Sequence, residues 1–125
     1  MKHIQLTLLM VLGFFSFALA QPKKKAVETA SINTPNAQCE ECKVRIENFM
    51  TREEGVVKAV VDFRRKVTKV TYFTERTNIE NIKTAIANLG FDADDVTANL
   101  EFYNKLPPCC KKAADGGGKV PVKPQ

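Results

Sequence analysis

The stretch Gly55 to Phe73, GVVKAVVDFRRKVTKVTYF, decides the fold of this 125-residue chain. Gly55 breaks the segment before it. Val56 to Phe63 then alternates Ala59, Val61 and Phe63 against Val60 and Asp62, the period of a half-buried strand. Arg64-Arg65-Lys66 supplies a polar turn, and Val67 to Phe73 is a second run of β-formers. Together they predict an antiparallel hairpin.

Working outward, Val27 to Thr34 carries Val27/Thr29 and Ile32/Thr34 at period two in each half, and Pro35-Asn36 ends it, so it reads as a strand. From Glu40 to Met50, Cys42, Ile46, Phe49 and Met50 recur at helical spacing with Lys43, Arg45 and Glu47 outward. Thr77-Asn78-Ile79-Glu80 has the form of a capping box opening a second helix, with Ile79, Ile82, Ile86 and Leu89 inward and Gly90 as its stop. Asp94 to Asn99 reads as a short edge strand, and Leu100 to Leu106 as one or two helical turns. The order is βαββαβ. An α+β, ferredoxin-like sandwich, two helices on a four-stranded antiparallel sheet, buries such a pattern.

The flanks differ in kind. Lys2 and His3 precede an apolar run from Ile4 to Leu19, and Ala18-Leu19-Ala20 fits small-x-small cleavage, so residues 1–20 read as a signal peptide. Residues 21–26 form a flexible lead-in, 27–99 the domain, and 100–125 an extension with a Cys-Cys pair and a disordered tail. Lys+Arg number 19 against 14 Asp+Glu, and one of those positive charges leaves with the leader. Lys23-Lys24-Lys25 and Lys111-Lys112 have no aromatic residues interleaved, so nucleic-acid stacking has no support. The expected product is exported, periplasmic or secreted, monomeric, and without a membrane span.

Chemistry concentrates in Cys39-Glu40-Glu41-Cys42. The chain has 1 His, inside the leader, and 4 Cys. Without imidazole no Ser/His/Asp set exists, so the expectation is a protein that is not an enzyme. Thiolates at a helix start see unpaired amides and the positive dipole end, which favour the ionised form. Glu40 and Glu41 oppose that effect, and Lys43 opposes them. Two soft ligands suit Cu(I) first and Hg(II) next; Zn(II) fits less well, because it asks for four and this pair offers two. A disulfide in an oxidising compartment, or a thiol–disulfide redox function, uses the same two sulfurs.

Val27 to Asn99 resembles the heavy-metal-associated domain of copper chaperones, copper-exporting P-type ATPases and the periplasmic mercury-binding protein. The resemblance rests on Cys39-x-x-Cys42, Ile46-Glu47, Met50, Gly55-Val56, Ile82, Ala85-Ile86 and Leu89-Gly90-Phe91. It implies Cys39 and Cys42 as metal ligands, and a metal-transporting P-type ATPase or another thiol-bearing acceptor as partner. Phe91 would stand beside the site as a screening residue, unless it is an ordinary core aromatic. Asn36 and Ala37 replace the family's Gly-Met, which implies a more mobile loop.

Cys109 and Cys110, adjacent and after two prolines, leave three readings: a second metal site, ligands added to Cys39 and Cys42, or redox partners. A fourth strand would carry the chain ~20 Å away from the metal end. The ten residues from Asn99 to Cys109 return ~33 Å if extended and ~20 Å if partly helical, at the limit of reach.

Overall fold

The computed structural model describes residues 26–118. The leader and the last residues of the tail lie outside them. Strand β1 spans Val27–Asn33, helix α1 Glu40–Met50, β2 Val56–Asp62, β3 Val67–Phe73, helix α2 Ile79–Ala87 and a short helix α3 Leu100–Asn104. Two single 3-10 turns follow, at Pro108–Cys110 and Ala113–Asp115.

The hairpin forms as its sequence dictates. β3 lies between β1 and β2, antiparallel to both, with Ala59 opposite Val70 and Asp62 opposite Val67. Lys66 turns the chain at φ 58°. Ile32, Ala59, Val61, Val70 and Tyr72 point from the sheet into one core, where they meet Ile46 and Met50 of α1 and Ile82, Ala85 and Ile86 of α2. Burying these apolar side chains is the main drive for the two-layer arrangement, roughly 1.5–3 kcal/mol for each large one. Glu47 ties α1 to the free edge of β2 by accepting the Val61 N–H at 2.9 Å. Phe49, expected inward, is 37 % exposed on the margin of α1.

The capping box is displaced by one residue. Asn78, not Thr77, is the N-cap of α2, its Oδ1 accepting from the Asn81 N–H at 2.9 Å. Glu80 turns outward to Lys83 at 3.3 Å instead of reaching back.

The larger correction concerns the fourth strand. Among the described residues the sheet has three strands, and Asp94 to Asn99 is not one of them. Asp92 just before this stretch and Asn99 at its end bond to nearby backbone and fold it into turns, the competition that Asp and Asn characteristically offer to regular structure. Asp92 Oδ1 accepts from the Ala98 N–H, while Ala93 and Val96 pair with each other. Asp94, at φ 50°, reaches β1 alone: its N–H donates to Asn33 O, and its Oδ1 accepts from Asn33 N–H at 2.8 Å. The Asn99 N–H then donates to Ala87 O at the end of α2, so the chain never leaves this end of the molecule.

Within the predicted C-terminal extension, residues 100–118 pack against the domain. Gly90 admits α3: it sits at φ 99°, and a Cβ there would lie 2.8 Å from the Tyr103 nitrogen. Gly117 crosses so close to Lys111 that a Cβ would fall 2.0 Å from its carbonyl oxygen. Gly118 donates its N–H to Pro108 O and lies against Gln38.

Candidate metal centre

The first cysteine of the motif is itself the N-cap of α1, in extended conformation (φ −143°, ψ 171°), and the second sits in the first turn. This places both sulfurs at the unpaired amide end of the helix, with Glu40 and Glu41 exposed between them. Cys39 is half-buried and Cys42 fully buried, their Sγ atoms 3.2 Å apart. Arg45 takes Glu41 at 3.2 Å and Lys43 lies 3.8 Å from Glu47, so the helix distributes its charges along its own surface.

Cys109 and Cys110 arrive at the same point. All four Sγ atoms lie within 4.8 Å of one another. Cys42 and Cys110, 68 residues apart in sequence, are joined as a disulfide, with Cys39 Sγ 3.8 Å from Cys110 Sγ. Cys109 is a buried free thiol. Burial, then a hydrogen bond with Cys39 and the negative field of Cys39 and Glu41, push its pKa up to about 11. Of the readings left open for Cys109 and Cys110, the structure places them beside Cys39 and Cys42, in a mostly buried four-sulfur cluster. The missing fourth strand explains it, since a chain that never travels away needs no return.

Asn36 holds this end together, and the sequence reading undervalued it. Its side chain is 1 % exposed. Nδ2 donates to Gly90 O at 3.2 Å and to Cys110 O at 3.0 Å, and Oδ1 accepts from the Asp92 N–H at 2.9 Å. The loop lacking the family's methionine is therefore anchored by hydrogen bonds, not left mobile. Only its place before the motif, and the preference of Asn for turns, hinted at this. Gln38 adds a bond from Nε2 to Lys111 O at 2.9 Å. Phe91, between Gly90 and Asp92, is wholly buried in the core.

The C-terminal segment is fixed further by charge. Lys112 reaches Asp92 at 2.7 Å, and the Tyr103 hydroxyl accepts the Lys112 N–H while donating to Asp115. Burial alone would raise the Asp92 carboxyl, but the Lys112 ammonium and the Ala98 N–H outweigh it and hold it below the usual carboxylate range. Burial and the Asp115 carboxylate raise the Tyr103 phenol.

A three-stranded sheet under two helices, with paired cysteines at the mouth of the first helix, defines a small thiolate metal-binding domain. The comparisons give it a family: residues 31–92 match the model for the heavy-metal-associated domain, and this part of the chain is such a domain. A copper-exporting P-type ATPase of Staphylococcus aureus (strain Newman) is 35 % identical over 68 residues, 54 % of this chain but 8 % of that one. Oxidised MerP from Ralstonia metallidurans CH34 superposes with a TM-score of 0.53 at 25 % identity, covering 55 % of this chain and 96 % of its own. The CopZ metallochaperone superposes at 0.51 with 24 % identity, covering 53 % and 98 %. The chain thus carries a heavy-metal-associated domain, similar to the corresponding domain of the copper-exporting ATPase and, in fold, to MerP and CopZ. The matched range includes Cys39 and Cys42 and ends before Cys109 and Cys110.

Proposed function

We propose that this protein binds a soft metal ion as cargo, Cu(I) foremost and Hg(II) next, and passes it on by thiolate exchange. The observation that carries this is the Cys39/Cys42 pair at the amide end of α1, 3.2 Å apart, inside the family-matched domain. An incoming acceptor thiolate joins the ion in a three-coordinate intermediate before Cys39 or Cys42 departs. Cys39, the less buried of the two, is the natural first point of exchange. The copper-exporting ATPase relatives support a metal-transporting P-type ATPase, or another thiol-bearing protein, as acceptor. The basic start and apolar run of residues 1–20 support export to the periplasm or the medium. Among the described residues no helix is long and apolar enough to cross a membrane.

Loading requires both sulfurs as thiolates, so the Cys42–Cys110 bond must first be reduced. Cu(I) titration of the reduced protein against a competing chelator tests the reading. Cys39→Ser/Cys42→Ser should lose affinity by more than about 100-fold, beyond the cost of a lost supporting contact. Unchanged affinity would refute it.

A second reading, a thiol–disulfide redox protein using the same motif, draws on the disulfide itself. Cys39 stands 3.2 Å from Cys42 Sγ, placed to attack it and release Cys110 as thiolate. Metal-free turnover of a dithiol substrate would favour it.

A further inference from the structure

We propose that the reduced protein holds a divalent, tetrahedral thiophilic ion, Zn(II) or a close analogue, between Cys39, Cys42, Cys109 and Cys110 together. The inference takes from the proposed function only that Cys39 and Cys42 are metal ligands.

Geometry is the first support. At a metal–sulfur distance of ~2.3 Å, neighbouring sulfurs of a tetrahedral site stand ~3.8 Å apart, whereas a linear two-sulfur site separates them by ~4.6 Å. The cluster shows 3.2 Å for Cys39–Cys42, 3.8 Å for Cys39–Cys110 and 3.9 Å for Cys109–Cys110. The tetrahedral arrangement is the nearer one. The covalently joined pair, Cys42 and Cys110, must part, and Cys39 and Cys42 must widen by about 0.6 Å.

Charge is the second. Four thiolates leave a net −2 around a divalent ion and −3 around Cu(I). Cys42 and Cys110 are fully buried and Cys109 is 8 % exposed. Uncompensated charge is costly in such surroundings, so the divalent ion is preferred. The ion displaces four thiol protons, including that of buried Cys109.

The third support is that the C-terminal pair is brought here by contacts that owe nothing to sulfur. Asn36 holds Cys110 O, Gln38 holds Lys111 O, and Lys112 is bound to Asp92. Gly117 allows the chain to cross over Lys111. Asn36, Gln38 and Asp92 lie inside the family-matched range and their partners beyond it, so the second pair is an addition to the two-sulfur site. It closes a site otherwise left open for exchange. Four protein ligands are the signature of a holding site, three or fewer of a reactive one.

The oxidised form cannot load. Opening it takes two electrons and two protons from a dithiol reductant, which leaves as its disulfide while Cys42 and Cys110 become thiols.

The full chain, reduced anaerobically and freed of reductant, is titrated with Zn(II) against a competing chelator and separately with Co(II). One equivalent of Zn(II) should protect all four thiols from alkylation, and Co(II) should give the intense visible bands of a tetrahedral thiolate site. Cys109→Ser/Cys110→Ser should lose those bands and weaken Zn(II) by more than about 100-fold, while Cu(I) affinity stays within about tenfold. Two protected thiols in the wild type, or weak octahedral Co(II) bands, would overturn the proposal without any variant having to fold. Loss of Cu(I) binding to Cys39 and Cys42, with four thiols still protected by Zn(II), would instead overturn the copper reading alone.

Discussion

Replacing Asn36 by alanine removes three hydrogen bonds at once from a nearly inaccessible side chain, leaving Gly90 O, Cys110 O and the Asp92 N–H without their partner. Each bond contributes about 1 kcal/mol net, and an abandoned buried partner costs roughly 1–3 kcal/mol. Gly90 and Cys110 are buried, but Asp92 is only partly so, and its N–H can recruit water. The expected loss is therefore about 3 kcal/mol, nearer the sum of the bonds than of the full penalties. Urea unfolding of the reduced chain measures it free of the disulfide: with a slope of ~1.5 kcal/mol/M the midpoint should fall by about 2 M. In the oxidised protein, alkylation of Cys109 should also quicken, since its neighbour Cys110 is then held by the disulfide without the bond from Asn36. Asn36→Asp keeps the acceptor for Asp92 but loses both donors, so it should fail on the Gly90 and Cys110 side alone. A midpoint shift worth under about 1 kcal/mol, with unchanged alkylation, would refute the role assigned to Asn36.

The disulfide closes 68 residues, for which the loop-entropy relation gives about 4 kcal/mol. Oxidised and reduced chains compared by denaturant should differ by close to that amount, and coincident midpoints would contradict it. Acid should loosen the C-terminal segment first. Asp92 has a lowered folded pKa, so its stabilisation is present above the usual carboxylate value of about 3.9 and is lost as pH falls through the lower folded value. The groups facing its carboxylate are the Lys112 ammonium and the Ala98 N–H. Proteolysis of residues 105–118 should accelerate in that window, and in Asp92→Asn the acid step should flatten; an unchanged step would remove Asp92 as its cause.

Legibility in the sequence followed the range of the forces involved. The hairpin, α1 and α2 were readable because burial repeats at fixed periods in Val56–Phe73, Cys42–Met50 and Ile79–Ile86. Helix starts were readable only to within a residue, because Thr77 and Asn78 are both good caps and packing of Ile79 and Ile82 chose between them. The absent fourth strand was not readable. Residues 94–99 alternate acceptably, yet Asp92 and Asn99 bond to nearby backbone groups and, of the strands, Asp94 reaches only the end of β1. That misreading then left the second cysteine pair at the limit of reach, since its arrival depends on where the chain turns near Asn99. Asn36 was hidden for a different reason: its three partners are 54, 56 and 74 residues distant.

Gly118 has a practical consequence at the bench. It rests against Gln38, the residue next to Cys39, so anything fused soon after it dangles beside the sulfur cluster. A polyhistidine handle there would furnish imidazoles to a domain that has none of its own, and could counterfeit metal affinity and stoichiometry alike. The opposite end, where Ala26 lies by Thr74 across the sheet, is the cleaner place for purification sequences.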